Sequence, residues 1–171
     1  MYNTLLKKNF SRLKIVKGNL FELAEKGEFD VIAQGNNCFC QQGGGIAVEF
    51  VKRFNTLDFP MEKSGKGDES KLGKIDYRTF SLNDGNWEQD HKGSLTVVNT
   101  YTQFHYGKKF GPPIRYNAVL NVFKSMNREF KGKRIGLPAI GAGLAGGSLT
   151  KISEMMNDCF TDCDVTLVVL S

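Results

Sequence analysis

Short apolar runs alternate along this chain with stretches in which apolar residues recur every three to four positions. The apolar runs predict strands in residues 12–19, 29–35, 74–82, 93–104, 133–140 and 164–170. The helical spacing predicts helices in residues 20–27, 46–54, 112–130 and 148–160. Strands that alternate with amphipathic helices predict an α/β fold, a three-layer α/β/α sandwich around a mostly parallel sheet.

Two polar segments interrupt this alternation. Residues 59–73 are polar and contain glycine, which predicts a loop or a frayed helix end on the surface, and residues 83–93 are rich in turn-forming residues, which predicts a turn between two strands. The helices carry end signals: Gly27 fits the position after a helix, and Ser148 fits an N-cap. Pro112-Pro113 predicts the start of the third helix.

The composition is that of an ordinary globular protein. The chain has 171 residues, 40% of them hydrophobic and 24% charged, so we expect one domain spanning residues 1–171. No apolar run is long enough to span a membrane, and the first ten residues lack the apolar core of a signal peptide. We therefore expect a cytoplasmic protein without a membrane partner.

Cysteine spacing and net charge exclude few of the functions that the protein could have. The four cysteines do not have the spacing of a structural zinc site, so we expect free thiols and no metal. The net charge of +5 comes from lysines scattered along the chain, which is typical of a solvated surface. The alternative is an anionic partner, either a small molecule with phosphates or a nucleic acid.

Two glycine-rich segments stand between a predicted strand and a predicted helix. The second, Gly141 to Gly146, has the G-x-G-x-x-G pattern of dinucleotide-binding enzymes. In those enzymes the next strand ends in an acidic residue, whereas here it ends at Leu170 without one. The sequence therefore disfavours a nicotinamide-dependent enzyme, and we expect no cofactor.

Both glycine-rich segments are still suited to binding phosphate. A backbone without side chains can approach a ligand closely, and its N–H groups can bind phosphate oxygens. Gly43-Gly44-Gly45 and the segment from Gly141 would both follow strand ends, which lie at one edge of a parallel sheet. Two such loops suit a ligand with two phosphates, and two ordinary tight turns are the alternative.

Four segments carry a resemblance to a known family: residues 18–23 (GNLFEL), 31–50 (VIAQGNNCFCQQGGGIAVEF), 111–123 (GPPIRYNAVLNVF) and 135–152 (IGLPAIGAGLAGGSLTKI). In this order they resemble a macro domain, the ADP-ribose-binding module, over residues 12–170. The resemblance implies a macro-domain-like mixed, mostly parallel sheet and an ADP-ribose ligand. The sequence from Asn37 to Ile46 is most similar to the branch of ADP-ribose 1''-phosphate phosphatases and terminal ADP-ribose glycohydrolases.

The resemblance also implies roles for individual residues. Asn19 and Leu20 would contact adenine, with Asn19 in place of the family's acidic residue. Asn37 would contact the distal ribose and orient a water, which makes it the candidate catalytic residue. The remaining ligand-binding residues implied by the resemblance are Gly43, Gly44, Gly45, Ile46, Gly141, Ala142, Gly143 and Leu144.

Three functions are compatible with this resemblance. The first is removal of phosphate from ADP-ribose 1''-phosphate, because phosphoryl transfer depends mainly on positioning and charge stabilisation. The second is a non-catalytic module that binds ADP-ribose. The third is hydrolysis of ADP-ribose from a modified protein or nucleic acid.

Related glycohydrolases use a lysine and an aspartate, where this sequence has Thr79 and Ala145. His105 is either a general acid or a loop residue without a catalytic role.

Overall fold

The computed structural model describes Leu5 and residues 8–106, 113–142 and 146–170. The strands are β1 (Lys14–Lys17), β2 (Val31–Asn37), β3 (Ile75–Asn83), β4 (Asn86–Gln89), β5 (Leu95–Gln103), β6 (Arg134–Leu137) and β7 (Asp164–Val169). The helices are α1 (Leu20–Glu25), α2 (Ala47–Phe54), α3 (Tyr116–Glu129) and α4 (Leu149–Cys159). Within these residues, no helix is long and apolar enough to cross a membrane.

The strands form one seven-stranded sheet in the order β1-β7-β6-β2-β5-β3-β4. Neighbouring strands from β1 to β5 run parallel, whereas β3 pairs antiparallel with β5 and with β4. This is the mixed, mostly parallel sheet that the sequence predicts. The order places β2 between β6 and β5, so the carboxyl ends of three parallel strands lie side by side.

Helices cover both faces of the sheet. On one face, α3 and α4 contribute Val119, Phe123, Ile152 and Met156 to a core cluster that continues into β2 and β7. On the other face, α1 and α2 contribute a second cluster, rich in phenylalanine. The predicted three-layer α/β/α arrangement is confirmed.

The apolar residues that recur at helical spacing within the predicted third helix are buried, as that spacing predicts. Val119, Phe123, Met126 and Phe130 share one face of α3 or directly follow it, and each is at most 7% exposed. At the start of α4, the side chain of Ser148 accepts a hydrogen bond from Lys151 N at 3.2 Å, as expected of an N-cap.

Two predicted segments differ from the structure. The region 83–93 contains strand β4, because Asp84 and Gly85 form a hairpin turn with φ angles of 49° and 79°. Positive φ at both central residues is the geometry of the tight turn that joins two antiparallel strands. Helix α3 begins at Tyr116 rather than at Pro112-Pro113, because Ile114 pairs with Gln103 and Arg115 is still extended. Pro112 lies outside the described residues.

Asp30 and Arg134 join the beginnings of β2 and β6, at the edge of the sheet opposite to the carboxyl ends of the parallel strands. The Arg134 guanidinium donates to Asp30 Oδ1 at 2.9 Å, and Arg134 N donates to Asp30 Oδ2 at 2.9 Å. The guanidinium hydrogen bond is the main cause that lowers the pKa of the Asp30 carboxyl, whereas partial burial acts in the opposite direction.

We expect Asp30→Asn to lower the free energy of unfolding at neutral pH by about 1 kcal/mol, the scale of a partly exposed, charge-assisted pair. Because the folded-state pKa lies below the unfolded value, this contribution is present above the unfolded pKa and is lost as the pH falls through the folded pKa. Urea denaturation at several pH values should show the difference between wild type and variant shrinking in acid. A difference that grows in acid would contradict the assignment.

Candidate functional site

A cavity of about 500 Å³ opens where β2, β5 and β6 end. It lies at the carboxyl edge of the parallel part of the sheet, where ligands bind in open α/β folds. Its walls come from the segments after β2 and β6 and from the last residue of β5. The lining residues are Gly35, Asn37, Gln41, Gly43, Gly44, Gly45, Ile46, Ala47, Gln103, Tyr106, Pro138, Ala139, Ile140 and Gly141.

The first glycine loop forms one wall, directly before α2. Among the described residues other than its chain neighbours, no atom would lie within 4 Å of a Cβ placed on Gly43, and the φ of this residue is not in the left-handed region. Neither packing nor backbone conformation therefore requires glycine at this position. Gly45 differs, because its φ of 59° favours glycine for conformational reasons.

The second glycine loop forms the opposite wall. Gly141 has φ 77°, a conformation that residues with a side chain rarely adopt, and a Cβ on it would also crowd Ile114 Cδ1 at 2.1 Å, so the fold itself accounts for glycine here. Ala142 is not among the lining residues, and its N–H donates to Ala139 O at 3.1 Å. Gly143 and Leu144 lie outside the described residues, so their predicted roles stay predictions.

Asn37 lies in the cavity wall, but its side chain also holds the loop that follows β2. Its Oδ1 accepts hydrogen bonds from Phe39 N at 3.1 Å and Gln41 N at 3.2 Å. Its Nδ2 donates to Gln41 O at 2.8 Å. Both lone pairs of the oxygen and one of the two amide hydrogens are thus engaged. A ligand contact through the side chain would use the second amide hydrogen.

The two residues expected near adenine are not among those that line this cavity. Asn19 is the N-cap of α1, and its Oδ1 accepts from Phe21 N at 2.9 Å and from Glu22 N at 3.1 Å. Leu20 is only 3% exposed and packs in the phenylalanine-rich core. Their contact with a ligand remains a prediction.

The cavity contains further residues that the sequence patterns did not single out. Gln103 is the last residue of β5, and its Nε2 donates to His105 O at 2.9 Å. Gln41 and the exposed Tyr106 also line the cavity. A polar residue at the carboxyl end of a central parallel strand was the signal that could have identified Gln103. His105 itself is half-buried and is not a lining residue.

The described residues that line the cavity carry no charged side chain. Tyr106 is the only lining residue with an ionisable side chain among those described. The neighbouring cysteines do not supply a nucleophile, because burial raises the pKa of the Cys38 thiol to about 11 and also raises that of Cys40. No group of three or more metal-ligating side chains occurs in the part of the chain that the structure describes.

Comparison with known proteins gives one sequence relative of note. The chain is 29% identical over 161 residues to an uncharacterized 17.5 kDa protein of the tk-vs intergenic region of Enterobacteria phage T4. The similarity covers 91% of this chain and 95% of the phage protein. No protein-family model matches the chain.

Solved structures with the same architecture are more numerous. The macrodomain of Mycobacterium tuberculosis DarG superposes with a TM-score of 0.69 at 18% identity, over 91% of this chain and 96% of that one. Thermosipho africanus DarTG, in complex with ADP-ribose, gives a TM-score of 0.66 at 15% identity over 94% of this chain and 42% of that one. At these identities the similarity defines the fold alone: the chain has the macrodomain fold.

We expect Asn37→Ala to lower the free energy of unfolding by about 1–3 kcal/mol, because it leaves two backbone N–H groups and a carbonyl oxygen of the loop without partners. Asn86→Ala is the matched control, since the Asn86 side chain makes one long, exposed hydrogen bond of 3.4 Å to Asp84 O. Chemical denaturation of both variants measures the difference. Equal stability of the two variants would show that Asn37 does not hold the loop.

Proposed function

We propose that this cavity binds ADP-ribose. The observation that carries the proposal is Gly43, a glycine that lines the cavity although neither packing nor φ requires it. A ligand that needs the space of the missing side chain explains why glycine occurs there. The macrodomain fold and the ADP-ribose complex of a protein with the same fold support this choice of ligand.

The two glycine walls suit the two phosphates of this ligand. Gly43 to Ile46 lead into α2, an eight-residue helix whose amino end attracts negative charge. Gly141 begins the opposite loop, where Gly143 and Leu144 are proposed to complete the contact; Ala142, whose N–H donates to Ala139 O, would contribute by its position in the loop rather than by that N–H. With no acidic side chain in the described lining, nothing there repels the diphosphate.

We also propose where the two ends of ADP-ribose lie in the cavity. The distal ribose would lie at Asn37, next to Gln41 and Gln103. The adenine would lie toward Asn19 and Leu20. Since the Asn19 oxygen already accepts two backbone N–H groups, Asn19 would contact the base through its amide N–H.

We expect Gly43→Val to abolish detectable ADP-ribose binding while the protein stays as stable as wild type, because the new side chain enters empty cavity space. Gly65→Val is the matched control: a Cβ on Gly65 also meets no atom of the described residues beyond its chain neighbours within 4 Å, but Gly65 is not among the lining residues. Titration calorimetry and thermal unfolding measure both properties. Wild-type affinity in a folded Gly43→Val protein would refute the assignment, and absence of binding by wild type would refute the proposed ligand.

A second candidate is hydrolysis of ADP-ribose 1''-phosphate. The observation in its favour is a group of three side-chain amides, from Asn37, Gln41 and Gln103, at one end of the cavity. Amides can orient a water and a phosphate without adding negative charge. Because the described lining offers no carboxylate or histidine as a base, the phosphate of the substrate would itself accept the proton of the attacking water.

Hydrolysis of ADP-ribose from a protein or nucleic acid has less support. Thr79, at the expected position of the lysine nucleophile, lies on β3, and its hydroxyl donates to Asp90 O away from the cavity. Ala145 lies outside the described residues. The described lining has no amine for such a nucleophile. A non-catalytic module that only binds ADP-ribose would use the same cavity. A measurement of phosphate release distinguishes this function from the phosphatase.

We expect Gln103→Leu to reduce the rate of phosphate release from ADP-ribose 1''-phosphate by about tenfold or more while ADP-ribose affinity changes little, because the amide would act on the water rather than on the ligand. Asn86→Ala serves as the control with unchanged rate. Equal loss of rate and affinity would assign Gln103 to binding. Binding of the substrate by wild type without phosphate release would leave the non-catalytic module.

A further inference from the structure

A layer of buried polar side chains lies directly beneath the first glycine loop. Gln42 precedes Gly43 and is 8% exposed. Its amide oxygen accepts hydrogen bonds from Gln34 Nε2 at 2.9 Å and from Thr56 Oγ1 at 2.7 Å. Its amide nitrogen donates to the buried carboxylate of Glu62. Gln42 therefore connects the glycine loop to β2 and to two short 3-10 turns, Thr56–Asp58 and Pro60–Glu62.

The partners of Gln42 are held in place by further hydrogen bonds. Tyr101 donates its hydroxyl to Glu62 Oε2 at 2.7 Å, and both residues are at most 6% exposed. Asn99 accepts from Gln34 Nε2 at 2.9 Å and donates to Thr56 O at 3.1 Å. Each partner of Gln42 thus has a fixed orientation, so the amide of Gln42 has one well-defined position.

A second anchor lies two residues earlier in the same loop. Lys71 is 3% exposed, and its Nζ donates to Cys40 Sγ at 3.2 Å and to Met61 O at 2.8 Å. Along the segment, Cys40 and Gln42 are buried, whereas Gln41 and Gly43 are exposed in the cavity. The buried layer and the cavity wall are therefore the two sides of one stretch of chain.

We propose that Gln42 and Glu62 are positioning residues, which fix the shape of the glycine loop for its ligand. Three consecutive glycines have large conformational freedom, and a mobile loop would lose that freedom when a ligand binds. Hydrogen bonds to Gln42 restrict the loop before binding and so improve affinity without touching the ligand. The affinity part of this inference rests on ADP-ribose as the proposed ligand.

The substitution Gln42→Glu tests the role with a change of one atom in the side chain. When protonated, the new carboxyl group can donate to Glu62 and accept from Gln34 and Thr56, as the amide does. When ionised, it faces the Glu62 carboxylate, and two like charges within hydrogen-bonding distance repel. The other titratable groups around this position are Cys40 and Lys71, Tyr101 from β5, and Asp76, which accepts from Met61 N.

We expect the Gln42→Glu protein to bind ADP-ribose with nearly wild-type affinity at about pH 5 and about tenfold more weakly at about pH 8. Amide hydrogen exchange of residues 38–45 should lose protection relative to wild type over the same range. The double variant Gln42→Glu, Glu62→Gln exchanges the amide and the carboxylate, so it should restore affinity and remove the pH dependence. Circular dichroism at each pH establishes that the variants are folded.

Asn127→Asp is a matched control elsewhere in the chain. Asn127 is a buried amide on α3 whose Nδ2 donates to Asp162 Oδ2 at 3.1 Å, so the substitution also brings two carboxyl groups together. We expect its stability to depend on pH but its ADP-ribose affinity to stay at the wild-type value. This separates a positioning effect from general destabilisation.

The outcomes distinguish the two proposals. Wild-type affinity and loop protection in a folded Gln42→Glu protein at about pH 8 would overturn the positioning role. Equal loss of affinity in Asn127→Asp would overturn it as well. If the wild-type protein does not bind ADP-ribose, the proposed ligand is wrong, and the hydrogen-exchange comparison alone then decides whether Gln42 and Glu62 hold the loop.

Discussion

The parallel pairing of β2 with both β5 and β6 is the constraint on which the site depends. It brings three strand ends to one edge, and the cavity is the space between the segments that leave them. The register between β2 and β5 becomes irregular between Asn36 and Asn37, at the last residue of β2. The chain leaves the sheet there, so the glycine loop begins where strand pairing ends.

The two faces of the sheet contribute differently near this edge. Beneath α3 and α4, the sheet buries mainly apolar side chains, together with Thr100 and Thr102 of β5. On the other face, the ends of β2 and β5 bury Gln34, Asn99 and Tyr101 instead. Burying polar groups costs free energy unless they are paired. Part of that cost is offset here, because Gln34 donates to Gln42 and Asn99, Asn99 donates to Thr56 O, and Tyr101 donates to Glu62. The polar layer lies where the segment that follows β2 leaves the sheet, and its hydrogen bonds reach the first glycine loop through Gln42.

The fold was largely predictable because the spacing of apolar residues along the sequence reflects which side chains are buried. The buried face of α3, the cap at Ser148 and the alternation of strands and helices all follow from local sequence. Strand β4 was not recognised, because its residues 86–89 are mostly exposed and polar and its turn residues dominate the pattern. An edge strand with little buried surface leaves little hydrophobic signal.

The site was predictable only in part. Glycine patterns located both loops, and the strand-end rule placed them at one edge. They did not distinguish Gly141, which the fold requires, from Gly43, which it does not, because that difference depends on neighbours distant in sequence. The contact between Gln42 and Glu62 could not be predicted either, since the two residues lie 20 positions apart and meet only in the folded chain.

The neutral lining bears directly on whether the cavity only holds a ligand or also cleaves it. Backbone N–H groups and side-chain amides can bind a diphosphate, but they cannot remove a proton at neutral pH. The buried carboxylate of Glu62 is engaged by Gln42 and Tyr101, and the cysteine thiols have raised pKa values. The described lining therefore offers no base of its own, and the proposed hydrolysis would take its base from the substrate. In the phosphatase reaction that we propose, the terminal phosphate at the bond that breaks supplies this base, whereas a glycohydrolase substrate carries phosphates only in its diphosphate, away from the bond that breaks.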